Sequence, residues 1–365
     1  MDEKVYQVAL ELIPGIGDIT VRQLISYTGS ASAVFNKDKS ALKKTPGIGP
    51  RLINLISSNK SFDEALKIID DCERQNIQIL HYTDNAYPYR LKETPDFPNV
   101  LYVKGNSNLN LERLIGVVGT RNATEYGKEI TERVVEDMTS LQPVIVSGLA
   151  YGIDIHAHKA ALNNGLKTFA ILAGGLDKIY PSVHKKVVDQ ILEDGLIISE
   201  NPPGVQAEAH FFPARNRIIA GMSDAVIVVE AAKKGGALIT ANIADSYNRV
   251  VFAIPGNLNN SFSEGCNQLI RSQKANLYRN IDDLDYHLGW TAENPDQKTR
   301  KIIGLLTSQE QLVYELLSTD KNGIPIDTIA IKTNIAFNQL SATLLNLEFQ
   351  GFIKSLPGRR YKINH

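Results

Sequence analysis

The groups in this sequence that could do chemistry sit in glycine-rich turns, and the chemistry they suit is anion binding rather than bond cleavage. Gly119-Thr120-Arg121 joins a glycine, which lets backbone approach a phosphate, to a guanidinium that grips one with two N–H groups. Ser147-Gly148-Leu149-Ala150-Tyr151-Gly152 offers a second such turn, with Asp154 placed to cap the helix that follows. Gly174-Gly175 offers a third. Arg215-Asn216-Arg217 follows Phe211-Phe212, which pairs cationic forks with aromatic faces as single-strand binders do. Lys233-Lys234-Gly235-Gly236 opens a helix with two cations and a bare backbone, and Pro255-Gly256-Asn257 closes the series.

Other readings compete residue by residue. Arg217 suits a buried structural salt bridge as well as a phosphate, whereas Arg215 is the better phosphate ligand. Glu230 stands alone at a strand end, where a carboxylate orients or pairs as often as it catalyses. His156 and His158 are two apart on a helix, so they point in different directions, and no carboxylate or cysteine completes a metal set. Cys266 lacks a paired base and reads as a small packed residue. No metal, cofactor or catalytic residue is assigned. The spaced triple-glycine fingerprint and the phosphate-loop lysine are both missing, which argues against a nicotinamide cofactor and against ATP.

These turns need a frame that gathers them. Apolar runs at 114–118, 143–146, 168–172, 196–198, 225–229 and 250–254 are short, β-branched and barely alternating, as strands covered on both faces are. Helical stretches at 125–141, 153–164, 183–193, 216–221 and 237–248 separate them. Repeated β-then-α order predicts a parallel sheet with right-handed crossovers, whose strand ends carry the turns above. Runs at 77–81 and 100–103 extend one edge.

Residues 1–75 read as a helical domain with two Pro-Gly-Ile-Gly turns, at 14–17 and 46–49. The sheet domain then spans 76–290, a polar linker 291–304, and a winged helix-turn-helix 305–365. The two N-terminal turns resemble helix-hairpin-helix motifs, with Arg22 after the first and Lys43, Lys44 and Arg51 around the second. The third helix of the winged tail, 336–350, carries no Lys or Arg, so a partner- or self-contacting module fits better than a reader of duplex sequence.

Composition narrows the class. The formal net charge of −1 means that any nucleic-acid site is a local cluster and not a global basic excess. No apolar stretch approaches the roughly 20 residues of a membrane span, the start is acidic, and Cys72 and Cys266 cannot build a disulfide framework. A cytoplasmic protein with no membrane partner is expected.

Taken in order, Gly119-Thr120-Arg121, Ser147 to Asp154 with His158, Leu172 to Asp177 with Tyr180-Pro181, Phe212 to Gly221, Gly235 to Ala241 and Ile254 to Asn257 resemble the DNA-processing protein A family, DprA or Smf. The resemblance implies an extended Rossmann-type domain that binds single-stranded DNA without sequence preference, protects incoming DNA in natural transformation, forms a homodimer and helps load the RecA recombinase, with no established enzymatic activity. It places Arg121, Arg215 and Arg217 at strand-binding positions. Tyr151 stands where many members carry a cation, and Gly235-Gly236-Ala237 where many carry Ser-Gly-Ser, so stacking and bare backbone replace two expected contacts. The enzymatic alternative is a nucleotide-processing phosphoribohydrolase on a related fold; the Pro-Gly-Gly-x-Gly-Thr-x-x-Glu pattern it needs is not matched at Ala173-Gly174-Gly175.

Overall fold

A computed structural model describes residues 1–36, 42–58, 61–290, 306–318, 323–350, 352–356 and 358–363. They form two compact units, divided after Trp290. The linker expected at 291–304 lies outside the described residues.

The first unit opens with a helical layer: α1 (Glu3–Glu11), α2 (Asp18–Thr28), α3 (Ala31–Asn36), α4 (Pro50–Ser57) and α5 (Phe62–Arg74). Each Pro-Gly-Ile-Gly turn needs its first glycine because the backbone there is left-handed, with φ of +83° at Gly15 and +76° at Gly47. Pro50 takes the first position of α4, where its missing N–H has no helical partner to lose. Leu10, Val21, Leu24, Val34 and Ile53 close a small core inside this layer.

The sheet is built from β1 (Gln78–His81), β2 (Val100–Gly105), β3 (Leu114–Val118), β4 (Val144–Ser147), β5 (Thr168–Ile171), β6 (Leu196–Ser199), β7 (Ala225–Val228), β8 (Val250–Ala253) and β9 (Asn276–Leu277). Their spatial order is β1-β2-β6-β5-β4-β3-β7-β8-β9. From β6 to β9 neighbouring strands run parallel, as the β-then-α rhythm requires. The two early runs do extend one edge, antiparallel, with Tyr102 opposite Ser199 and Leu80 opposite Leu101.

The helices of this unit are α6 (Tyr89–Lys92), α7 (Glu125–Asp137), α8 (Ile153–Asn163), α9 (Lys185–Asp194), α10 (Phe211–Met222), α11 (Gly236–Ser246), α12 (Glu264–Arg271) and α13 (Ile281–Leu288). All five residues of β3 are buried because both its faces are covered. Ile115 and Val117 join a core with Val134 of α7, Met138 just after it and Ala157 of α8, while Leu114 and Val118 join one with Ile218 of α10 and Ala241 of α11.

One helix differs from expectation in a way that matters for function. α10 starts at Phe211, five residues before the predicted 216. Pro213 sits in its first turn, where backbone N–H groups lack acceptors anyway, so the proline is tolerated and Phe-Phe-Pro-Ala-Arg is helix, not loop.

In the second unit α14 (Ser308–Ser318), α15 (Ile326–Thr333) and α16 (Phe337–Phe349) pack around Val313, Ile329, Leu340 and Leu344, with β10 (Ile324–Pro325), β11 (Ile353–Leu356) and β12 (Arg360–Ile363) forming the wing. Arg360 of the wing donates to the Gly323 carbonyl at 2.8 Å.

Candidate nucleic-acid interface

In this topology the strand order reverses between β3 and β7, which leaves a crevice beyond their carboxyl ends. A cleft of about 330 Å³ occupies it. Gly119, Thr120 and Arg121 form one wall, Lys234, Gly235 and Gly236 the other, and Phe212, Arg215 and Asn216 of α10 close the end.

Arg121 is exposed, and its guanidinium lies 4.6 Å from the centre of the Phe212 ring. That stacking orients the fork and leaves its edge N–H groups open to a ligand. Opposite, α11 begins at Gly236 with no side chain capping it, so its first N–H groups point into the cleft's edge with Lys233 and Lys234 exposed beside them. A Cβ added at Gly235 would meet nothing within 4 Å. Packing therefore does not demand glycine there.

The other predicted residues divide sharply. Arg215, taken from sequence as the better phosphate ligand, is a structural clamp: it is 4% exposed. It donates to the carbonyl of Gly148, to that of Ile171 at 2.5 Å and, through Nε, to Asn216 Oδ1 at 3.2 Å. Buried Asp154 lies near enough to hold its charge; burial still lowers the guanidinium to about 10, and burial raises the Asp154 carboxyl, which Arg215 partly offsets. Asp154 does not cap its helix as expected. It sits inside the first turn of α8 and accepts from Gly148 N at 3.2 Å and Ala150 N at 3.4 Å. Arg217 takes the salt-bridge reading, pairing with Glu200 and, at 3.4 Å, with Asp18 of α2.

Ser147 is fully buried and donates to the Val117 carbonyl at 2.6 Å, which ties β4 to β3 and removes its hydroxyl from any ligand. Thr120 accepts from Asn122 N at 3.2 Å, while its own N–H donates to the Glu230 carbonyl at 2.7 Å. Asn216 donates to the Gly236 carbonyl at 3.3 Å and so tethers α10 to the start of α11. Gly119, Gly148, Gly174 and Gly175 are glycines because neighbouring backbone or buried side chains occupy the space of a Cβ. Gly152 combines that crowding with φ of +73°. These glycines hold the turns against one another; they do not face open solvent. Phe211 points away from the cleft, toward the N-terminal layer, because consecutive helical residues diverge by about 100°.

Two functional candidates escaped the sequence. Tyr180, 54% exposed, meets Phe212 edge-on with ring centres 6.0 Å apart. Lys178 joins it along a narrow slot that also includes Tyr151, Gly148 and Gly174. Tyr151 is 47% exposed and rests edge-on against His184 at 5.2 Å. The aromatic at 180 follows the Gly174-Gly175 turn in sequence, but only folding brings it to Phe212.

Glu230 holds Thr124, the N-cap of α7: it accepts from Thr124 N at 2.9 Å and Thr124 Oγ1 at 2.6 Å, while that hydroxyl accepts from Gly127 N at 3.1 Å. His158 is buried with Nδ1 on Thr168 Oγ1 at 2.6 Å, whereas His156 faces Glu132. Cys72 and Cys266 are buried free thiols, each pushed up to about 12 by burial.

Comparison with known proteins decides the family. Residues 78–289 match the model for DNA recombination-mediator protein A, and residues 296–359 match that for the DprA winged helix domain. The chain belongs to the DNA recombination-mediator protein A family. Protein Smf of Synechocystis sp. is 32% identical, with 99% of this chain and 98% of that protein covered. DNA processing protein DprA of Streptococcus pneumoniae is 44% identical over 56% of this chain and 73% of the relative. Among solved structures, the X-ray structure of DprA from Streptococcus pneumoniae superposes with a TM-score of 0.64 at 34% identity, covering 78% of this chain and 96% of that one. A Helicobacter pylori DNA processing protein A, solved for its single-stranded DNA binding mode, gives a TM-score of 0.53 at 32% identity over 58% of this chain and 95% of that one. Among the described residues of this family member, no helix is long and apolar enough to cross a membrane.

Proposed function

We propose that this chain is a sequence-independent single-stranded DNA binding protein that protects incoming DNA in natural transformation and helps load a RecA recombinase onto it. The observation that carries this reading is Arg121 stacked on Phe212 at the mouth of a cleft whose opposite wall is the uncapped, lysine-flanked start of α11. A cation held by an aromatic face beside open N–H groups suits a phosphate followed by a base, and a base is available to stack only when its strand is single. The Helicobacter pylori relative, solved for its single-stranded DNA binding mode, supports the same ligand.

The working parts of the strand site are Arg121, Phe212, Lys233, Lys234, Gly235 and Gly236, with Tyr151, Tyr180 and Lys178 along the adjoining slot. The chain acts in the cytoplasm as a homodimer and binds without catalysis. Its organisation is a helical layer to residue 75, the strand-binding domain from 76 to 290, a linker to 304 and a winged module beyond. A binding role is favoured over a phosphoribohydrolase because both oxygens of Glu230, the carboxylate nearest such a role, are taken up by Thr124, the N-cap of α7. The test is binding of a labelled oligothymidine and of a duplex of equal length across a salt series. Preference for the single strand and a steep salt dependence are expected. Equal affinity for duplex, or affinity flat across salt, overturns the reading.

A further inference from the structure

Arg217 was expected at the DNA and is found on the far flank of α10. There the helical layer meets the sheet domain through a half-buried polar network around the buried Asn99. Arg217 pairs with Glu200, the first residue after β6, and with Asp18 at the start of α2. Asp18 accepts from Asn99 N at 3.0 Å, and the fully buried Asn99 side chain donates to Glu11 of α1 at 2.9 Å. Arg22 of α2 completes the junction, donating to Asn99 Oδ1 at 3.0 Å and to the Phe97 carbonyl at 2.7 Å with its guanidinium 3.9 Å from the Phe97 ring centre.

The same junction bears on the DNA face. Glu200 begins the loop that leads into α10. That loop is pinned to the turn after β5 by Asn201 donating to the Ala173 carbonyl at 2.8 Å and Gly175 donating to the Val205 carbonyl at 2.9 Å. It delivers Phe212, the ring on which Arg121 stacks. One helix therefore carries Arg217 on one flank and Phe212 with Asn216 on the other.

We propose that Arg217 is a positioning residue: by holding Glu200 and Asp18 together it latches the N-terminal helical layer onto the loop that sets Phe212, and so shapes the cleft without touching DNA. This rests on the single-strand reading of that cleft.

Charge counting explains why the latch hangs on one residue. Glu11 and Asp18 from the helical layer, Glu200 from the sheet domain and nearby Asp96, which accepts from Tyr247, confront the two guanidiniums of Arg22 and Arg217. Tyr87 and Tyr102 complete the walls and are held neutral by burial. Removing Arg217 leaves an excess of carboxylates across the junction, which repel. A cleft of about 380 Å³ lined by Glu11, Asp18, Glu200 and Phe211, with His210, which faces Glu208, at its side, gives the layer room to shift. Burial raises the Glu11, Asp18 and Glu200 carboxyls, so the repulsion fades as pH falls and they take up protons.

The test compares the full-length chain with Arg217→Ala, with Asp18→Asn/Glu200→Gln, and with all three substitutions together. Readouts are oligothymidine affinity across salt at pH 8 and pH 5.5, and amide hydrogen exchange of α2. Arg217→Ala is expected to bind roughly tenfold more weakly at pH 8, within the range for residues coupled through a shared network. Its salt slope stays that of the wild type, its deficit shrinks at pH 5.5, and its α2 amides exchange faster. The triple variant, with the repulsion removed, returns to within about twofold of wild type. A salt slope lower by about 0.7, with no rescue in the triple variant, makes Arg217 a phosphate ligand and overturns the proposal. Wild-type affinity and α2 protection in Arg217→Ala also overturn it. If Arg217→Ala does not fold, Arg217→Lys, which keeps the cation and loses the fork, is read by the same criteria. A wild-type chain with no affinity for single strands refutes the binding reading instead, and α2 exchange then judges the latch alone.

Discussion

Arg121 and Arg215 look alike in the sequence and stand in opposite environments, so truncating each to alanine should fail in opposite ways. Arg215→Ala removes charged hydrogen bonds to the buried Gly148 and Ile171 carbonyls and takes away the nearby cation that offsets the burial of Asp154. Each buried group left without its charged partner costs about 1–3 kcal/mol, and more where the group is itself charged. That is a large part of the roughly 5–15 kcal/mol by which a folded domain is stable. Arg121→Ala removes an exposed side chain whose stacking on Phe212 contributes about 0.5–1 kcal/mol to the fold. Its loss falls on binding: about tenfold in affinity and about 0.7 in the log–log salt slope if it meets one phosphate of a single strand. The assay pairs urea unfolding with fluorescence anisotropy on oligothymidine across a salt series. A stable Arg215→Ala that loses affinity and slope would place its guanidinium on DNA and refute the clamp. An Arg121→Ala variant with full affinity would move the ligand off this cleft.

Further outcomes follow from other residues. Gly235→Ala, in open space and in extended backbone, should leave stability within about 0.5 kcal/mol of wild type while weakening strand binding, because the added methyl occupies the ligand's approach; a drop in unfolding midpoint with unchanged affinity would reverse that assignment. Phe212→Ala removes the ring under Arg121 and beside Tyr180, and Tyr180→Ala removes the exposed member of that pair; each should cost about 1–3 kcal/mol of single-strand binding and little of any duplex binding, read by paired titrations. Glu11, raised by burial and then by Asp18 from 4.5 to about 7, binds its proton more tightly folded than unfolded, so it opposes folding increasingly as pH rises from 4.5 to 7. Glu11→Gln keeps an acceptor for Asn99 and should add roughly 2–3 kcal/mol of stability at pH 8 and nothing at pH 4, measured by urea unfolding at both; an equal effect at the two pH values would show that the carboxyl does not titrate in this window.

Much of the frame is legible one residue after another. Short apolar β-branched runs separated by amphipathic stretches can bury both faces only as a parallel sheet between helices, and a parallel sheet brings every strand's following turn to one edge. Gly119-Thr120-Arg121 and Lys233-Lys234-Gly235-Gly236 could therefore be placed together before any coordinates, and the repeated Pro-Gly-Ile-Gly turns announced their helices through the backbone that glycine and proline permit. The direction of a side chain across that edge is a different kind of fact. Arg215 and Arg217 are two residues apart, and helical geometry sends one inward to Gly148 and Ile171 and the other outward to Glu200 and Asp18. That geometry applies only because α10 begins at Phe211, which Pro213 hid. Ser147 shows the same gap: a serine at a strand end reads as a ligand until a neighbouring carbonyl, 30 positions earlier in the chain, accepts its hydrogen bond. Tyr180 shows the converse, a residue that local pattern leaves ordinary and the approach of Phe212 makes part of the site. Spacing along the chain sets which turns share an edge; the partners that claim each polar group come from distant segments, and only tertiary packing decides which arginine is left exposed at the cleft.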